Sequence, residues 1–344
     1  MFFIFIICFV DISYILTSYY FAVQHYMLYQ ICLKYFQRGG KFMKEFKKDK
    51  VIYEFSAKNE AKYFIKDGEE FWVETEDCYS GQIKTEKDLR PSIDGTIMNA
   101  SVGPIWIEEA KEGDILCIEI KDIILNNQGV MIINIGLGVL GDKIKAPNTK
   151  IIPIKDGFAY FAENVKIPVD PMIGVIGVAP KEGSISCVTP GDHGSNMDTK
   201  EITIGSKVYL PVFVEGAKLA LGDLHASMGD GELSGTGIEI GGRVRLKVSL
   251  IKGKTIKRPR VDSKDYLIIV SSGDNYKEAI KAAVEDMVEF LSKELNLKFE
   301  DAYRLLSATC DIRISQVVNP LITVKVCLPK KKLNIYEFNF AHVS

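Results

Sequence analysis

Between Val51 and about Ile251 the chain carries almost no helical periodicity, and this limits its fold more than any other feature. VIYEF, EFWVET, PIWIEEA, DILCIEIKDIIL and VMIINI are apolar or alternating runs separated by Gly, Asp and Asn. They read as strands, because successive side chains of an extended chain point to opposite faces. A second strand-rich stretch runs from about Lys150 to Ile251, with Gly and Pro every few residues. Many short strands with few helices bury their apolar faces against one another in a β-sandwich or barrel. Helical spacing arrives late. NYKEAIKAAVEDMVEFLSKEL puts Ala279, Ile280, Ala283, Val284, Met287, Val288 and Leu291 on one stripe, with Asp274 or Asn275 as the cap. FEDAYRLLSA reads as a second, shorter helix, and YLIIV and ITVKVCL on either side of the pair read as strands. The expected class is α+β, mainly β, with sandwich or barrel-like sheets and a small C-terminal α/β portion. The expected divisions are 43–150, 151–261 and 262–330, with residues 331–344 as a tail that carries no usable signal.

Residues 1–42 are apolar and aromatic, with no lysine or arginine before Lys34. As a membrane segment they have the length, although Asp11 and several Ser, Thr and Gln residues weaken that reading. As a signal peptide they lack a positive n-region and a small-residue cleavage site. The polar MKEFKKDKVIYEFS beginning at Met43 favours translation from there, with membrane attachment expected only if residues 1–42 are genuine. Either way the body is expected in the cytoplasm. A net charge of −2 over 344 residues gives no basic field for nucleic acid, so the expected partner is a small molecule. The seven scattered cysteines form no CxxC pair and suit buried thiols in a reducing compartment.

Only four histidines occur, and His193 and His225 lie in the densest clusters of Asp, Glu and Gly. TPGDHGSNMDTKE holds Asp192, His193, Asn196 and Asp198; GDLHASMGDGE holds Asp223, His225, Asp230 and Glu232. If ALGDLHAS is extended, Asp223 and His225 share a face, and a turn at Gly229 and Gly231 folds Asp230 and Glu232 back toward them. Imidazole with carboxylates suits zinc or another divalent transition metal, which would polarise a carbonyl and acidify water. The plainer reading is that Asp and Gly form turns, as they do most often in loops. Two such clusters together favour a metal or catalytic role.

IGVIGVAPKEGSISCVTPGDHGSNMDTKEITIGSKVYLPVFVEGAKLALGDLHASMGDGELSGTGIEI resembles the core of the acetamidase/formamidase family. The landmarks are an IGVAP segment, a PGxHGGNMD-like loop, a YLPV strand, and GDxHAxxGDGE followed by Gly-Thr and Ile-Glu. VETEDCYSGQI and CDIRISQVVNP are similar to family segments on either side, so the likeness spans roughly Lys50 to Lys330. The resemblance implies a β-rich fold with an α/β portion. It also implies hydrolysis of formamide, acetamide or similar amides to carboxylate and ammonia with a divalent metal. The donor types put zinc first, with calcium as an additional ion. On the matching positions the resemblance puts Asp77, Asp192, His193, Asp198, Asp223 and His225 in the metal neighbourhood. Glu232 is expected as the general base, Asp230 as the alternative, and Asn196 as a substrate contact or a loop closer. Ser195 stands where many members carry a second glycine, which the loop accommodates only if φ there is not strongly positive.

Other signals carry less. Gly136, Gly138 and Gly141 have GxGxxG spacing, but KIKAPNTKIIP follows in place of a helix that could meet a pyrophosphate. Cys78 beside Asp77 lacks the Glu and Lys expected around a nucleophilic thiol. Ser271-Ser272-Gly273 lacks the glycine-rich signature of a serine amidase. KGKTIKRPR, Lys252 to Arg260, reads as a solvated turn. The alternative function is a non-catalytic β-sandwich module binding calcium or a sugar through its Asp-rich loops, against which stand two imidazoles, poor calcium ligands. A symmetric homo-oligomer, dimer or tetramer, is the default for such an enzyme.

Overall fold

Strand Leu219–His225 lies inside an eleven-stranded sheet and is buried at every position. It pairs antiparallel with Met172–Gly177, which pairs in turn with the short strand Gly194–Asn196. Its other edge meets Glu239–Ile240 and Ser101–Ile107. These are the strands that deliver the polar residues described below. The computed structural model describes residues 43–333, so the expectations for residues 1–42 and most of the tail lie outside it. The described residues from Lys44 onward form one compact unit.

A nine-stranded sheet packs over the first. Its order begins Lys44–Phe46, Glu70–Thr75, Gly242–Ile251, Ile115–Leu125, Lys207–Pro211 and ends Arg260–Asp262, Tyr266–Gly273, Ile322–Pro329, Asp311–Gln316. Phe71, Val73, Leu116, Ile118, Val244 and Leu246 from this sheet share a buried cluster with Val102, Ile105, Leu219 and Leu221 from the other. Each large apolar side chain so buried contributes about 1.5–3 kcal/mol. Both sheets are open, so the fold is a sandwich and not a barrel. Alternation along the later strands gives the nine-stranded sheet two apolar faces. Ile268 and Val270 join the core between the sheets, whereas Leu267, Ile269, Val326 and Leu328 meet the helices on the far side.

Those helices are Tyr276–Glu294 and Phe299–Thr309, as their spacing predicts, and they complete the α/β portion. Of the two candidate caps, Asn275 fills the role and accepts from Glu278 N–H. The buried face is wider than the predicted stripe and includes Phe290 and Asp286. Asp286 explains a departure from expectation in the basic run: Arg258 is held 2.7 Å from its carboxylate, and Arg260 is buried over the Phe290 ring. Only part of Lys252–Arg260 is therefore a solvated turn. No helix follows the Gly136–Gly141 spacing beyond one 3-10 turn at Gly141–Lys143.

Candidate active site

His225 and Glu239 are direct cross-strand partners, and this register brings imidazole and carboxylate together. His225 Nε2 lies 3.2 Å from Glu239 Oε2, 3.4 Å from Asp223 Oδ1 and 3.9 Å from Asp198 Oδ1. All four residues are at most 3% exposed. Asp198, His225 and Glu232 can each offer one ligand atom within 4.8 Å of the others; Cys78, Asp223 and Glu239 do the same beside them.

Backbone geometry aims these groups. Asp198, Asp223 and Glu232 all occupy the left-handed region, with φ of +43°, +58° and +48°. Such conformations cost side-chain-bearing residues about 1–2 kcal/mol each, and at functional sites the surrounding structure enforces them. Gly174 lies opposite, where a Cβ would come within 2.6 Å of both Asp198 Oδ1 and Asp223 Oδ2; one at Gly237 would press equally close on His225 Nδ1. Ser195 contradicts the condition set for it. Its φ is +70°, and a hydrogen bond from its Oγ to Cys187 O helps offset the strain.

Three asparagines order the carboxylates. Asn319 Nδ2 donates to Asp198 Oδ2 at 2.6 Å and to Asn196 O at 3.1 Å. The Asn196 amide donates toward Asp223 Oδ2 and Asp198, and accepts from Asn319 and Asn99. Asn196 thus commits both ends to protein groups. The cluster opens on a cavity of about 140 Å³ whose polar wall includes Asn99, Asn196, Asp223, Glu232, Glu239 and Asn319. Met98, Ile132, Leu137 and Val188 form its apolar side.

So many acids out of water cannot all ionise freely. Burial, reinforced by the Asp223 charge, pushes Asp198 up to about 6. Burial and Asp198 hold Glu232 well above the carboxylate range. Burial raises Glu239 to about 8, with His225 opposing and Asp223 adding to the shift. For His225 burial opposes charge, but Glu239 and Asp223 outweigh it and raise the imidazole well above its ordinary value. Oδ1 of Asp223, Oε2 of Glu239 and Nδ1 of His225 have no hydrogen-bond partner among the described residues. An excess of buried acceptors over donors suits a divalent cation.

The structure brings together Asp198, Asp223, His225, Glu232 and Asn196, but places other expected residues elsewhere. Asp192 points outward and faces Arg258. The His193 ring packs edge-on against Phe55, and burial lowers its pKa to about 4. Asp230 turns away from Glu232 to the buried Lys325 at 2.6 Å. Asp77 accepts from Tyr79 N–H and Gly81 N–H, so its carboxylate shapes the turn that presents Cys78. Glu239, Asn99 and Asn319 had no expected role, although Ile-Glu was a quoted landmark and Asn319 lies in the VVNP segment.

Fold and site together are a β-sandwich with a buried carboxylate–imidazole centre opening on a small, half-apolar cavity. The Acetamidase/Formamidase family model matches residues 55–185 and 181–338, and the chain belongs to that family. The crystal structure of a predicted acetamidase/formamidase from the thermophile Thermoanaerobacter tengcongensis is 47% identical, with a TM-score of 0.83 over 86% of this chain and 98% of that one. An acetamidase from Bacillus halodurans is 39% identical, with a TM-score of 0.83 over 86% of this chain and all of its own. A formamidase of Methylophilus methylotrophus is 29% identical over 248 residues, 55% of this chain and 61% of that protein. The chain spans about three-fifths of the length of the curated formamidases it matches. No described helix is long and apolar enough to cross a membrane.

Proposed function

We propose that the protein is a metal-dependent amidohydrolase that converts formamide, acetamide or a similarly short aliphatic amide to carboxylate and ammonia. The observation that carries this reading is a cluster of four buried acids and one imidazole, of which Asp223, Glu232 and Glu239 line a cavity of about 140 Å³. The names of the relatives support the same substrate class.

Asp198 and His225, with Asp223, would hold the cation, for which zinc suits the mixture of imidazole and carboxylate. Held there, a divalent cation would supply Lewis acidity toward the amide carbonyl and toward water, and a positive charge that eases ionisation of Glu232. Glu232 lines the cavity, within reach of a bound amide, and this supports it as proton carrier. It takes a proton from the attacking water and returns it to the nitrogen, so that the amine departs as ammonia and not as an amide anion. Asn99 and Asn319 orient the amide while Met98, Ile132, Leu137 and Val188 receive its alkyl end. The described free thiols suit a reducing cytoplasm, and a symmetric homo-oligomer belongs to the same reading.

The test is ammonia release from formamide and acetamide before and after chelation, with zinc, manganese or calcium restored in turn. Glu232→Gln is expected to lower the rate about 10²–10⁴-fold while metal content is unchanged. Loss of metal along with activity would move Glu232 into the ligand set. No release from any short amide by the folded, metal-loaded protein would end the hydrolase reading.

A further inference from the structure

We infer that Cys78, Asp223 and Glu239 form a second divalent-cation site beside the one proposed above, with Asp223 shared between them. The three residues are at most 7% exposed, offer one donor atom each within 4.8 Å, and all line the cavity. Asp223 Oδ1 and Glu239 Oε2 approach His225 Nε2 but are not aligned to accept a hydrogen bond from it. Both carboxylates within reach of the thiol therefore keep one buried oxygen without a hydrogen bond.

Hydrogen bonding gives a second argument. Asn99, Asn196 and Asn319 line the same cavity wall, yet Asp223 Oδ1 and Glu239 Oε2 receive no hydrogen bond from any of them. The packing alternative, an inert buried thiol, accounts for the apolar contacts of Cys78 with Tyr79, Ile83, Val130 and Ile132. It does not account for Asp223 and Glu239 within ligand reach of the sulfur, each with a buried oxygen left without a hydrogen bond. A thiolate among carboxylates favours zinc or cobalt over calcium and magnesium. Binding there releases the thiol proton to solvent.

This site goes beyond the amidase reading and rests on it only for its neighbour. The test loads the chelated protein with cobalt(II), counts bound metal, and records the near-ultraviolet sulfur-to-cobalt charge-transfer band. Wild type is expected to bind about two ions and show the band. Cys78→Ser should bind about one and lose the band, and Asp198→Asn should bind about one and keep it. Circular dichroism checks that each variant is folded; should Cys78→Ser fail to fold, Glu239→Gln replaces it. A single ion with no sulfur band in the wild type would overturn this site and leave the Asp198–His225 assignment standing. A single ion whose band survives Asp198→Asn would uphold the site and sink that assignment instead. A band lost in both variants means one merged centre and overturns the inference.

Discussion

Asn319 carries no charge and lies on an irregular loop, yet its amide is the donor closest to Asp198. Removing it in Asn319→Ala leaves a buried carboxylate oxygen short of a hydrogen bond, at a cost of about 1–3 kcal/mol. Turnover should fall about 10–100-fold, the effect of losing a group that orients a metal ligand. Unchanged turnover would remove Asn319 from the site. Ser195 gives a subtler case. Ser195→Ala keeps the positive φ and loses the bond to Cys187 O, so it should destabilise by about 1 kcal/mol. Ser195→Gly loses the same bond but relieves about 1–2 kcal/mol of strain, so denaturation should find it as stable as wild type or slightly more so. At this scale the sequence was legible where ligand types clustered in the chain, as with Asp198, Asp223, His225 and Glu232. Glu239 and Asn319 escaped because each is a single polar residue whose partners arrive through strand pairing and a distant loop. Asp192 and Asp230 were drawn in by nearness along the chain, and the backbone then turned them away toward Arg258 and Lys325.

The turn that presents Glu232 does not stand alone. Gly231 exchanges backbone hydrogen bonds with Ser315 O and Val317 N, and Asp230 is paired to Lys325, which is fully buried on strand Ile322–Pro329 and also bonds Glu201. Gln316 accepts from Val318 N–H and Asn319 N–H and so shapes the loop that delivers Asn319. Two loops of the site are thus fastened to the edge of the nine-stranded sheet. Lys325→Met removes the buried charge and leaves partly exposed carboxylates that can rehydrate, so the stability cost should stay below about 3 kcal/mol. Its mark should be on turnover, with KM within roughly threefold of wild type, because Glu232 loses its anchor while the cavity walls remain. A rise in KM alone would count against this positioning role. Strands and helices themselves were legible from periodicity, including the Asn275 cap. Their partners were not, because joining Glu70–Thr75 to Gly242–Ile251 is a choice among many runs of similar composition.

Across the molecule, burial of the acids ties folding to pH. Asp198 at about 6 and Glu239 at about 8 lie above free carboxylates, so the metal-free native state holds protons that the unfolded chain has released. Their contribution is complete below the unfolded values and is lost as pH rises through the folded ones. His225, also raised, acts in the same direction; His193, lowered to about 4, adds stability above 6.5 that disappears on acidification. With chelator present, the urea midpoint should fall between about pH 6 and pH 8, where the acids dominate, and Glu239→Gln should flatten the upper part of that fall. Zinc should restore more stability at pH 8 than at pH 6, because its ligands must be deprotonated to bind.

Gly174 sets a limit of a different kind. With both carboxylates pressed over its Cα, it has no room for even a methyl group, although it contributes no functional group of its own. In a saturation-mutagenesis map scored by growth on an amide as nitrogen source, this position should tolerate as few replacements as the acids around it. A profile of permitted substitutions would therefore mark the floor of the centre through a residue that performs none of its chemistry.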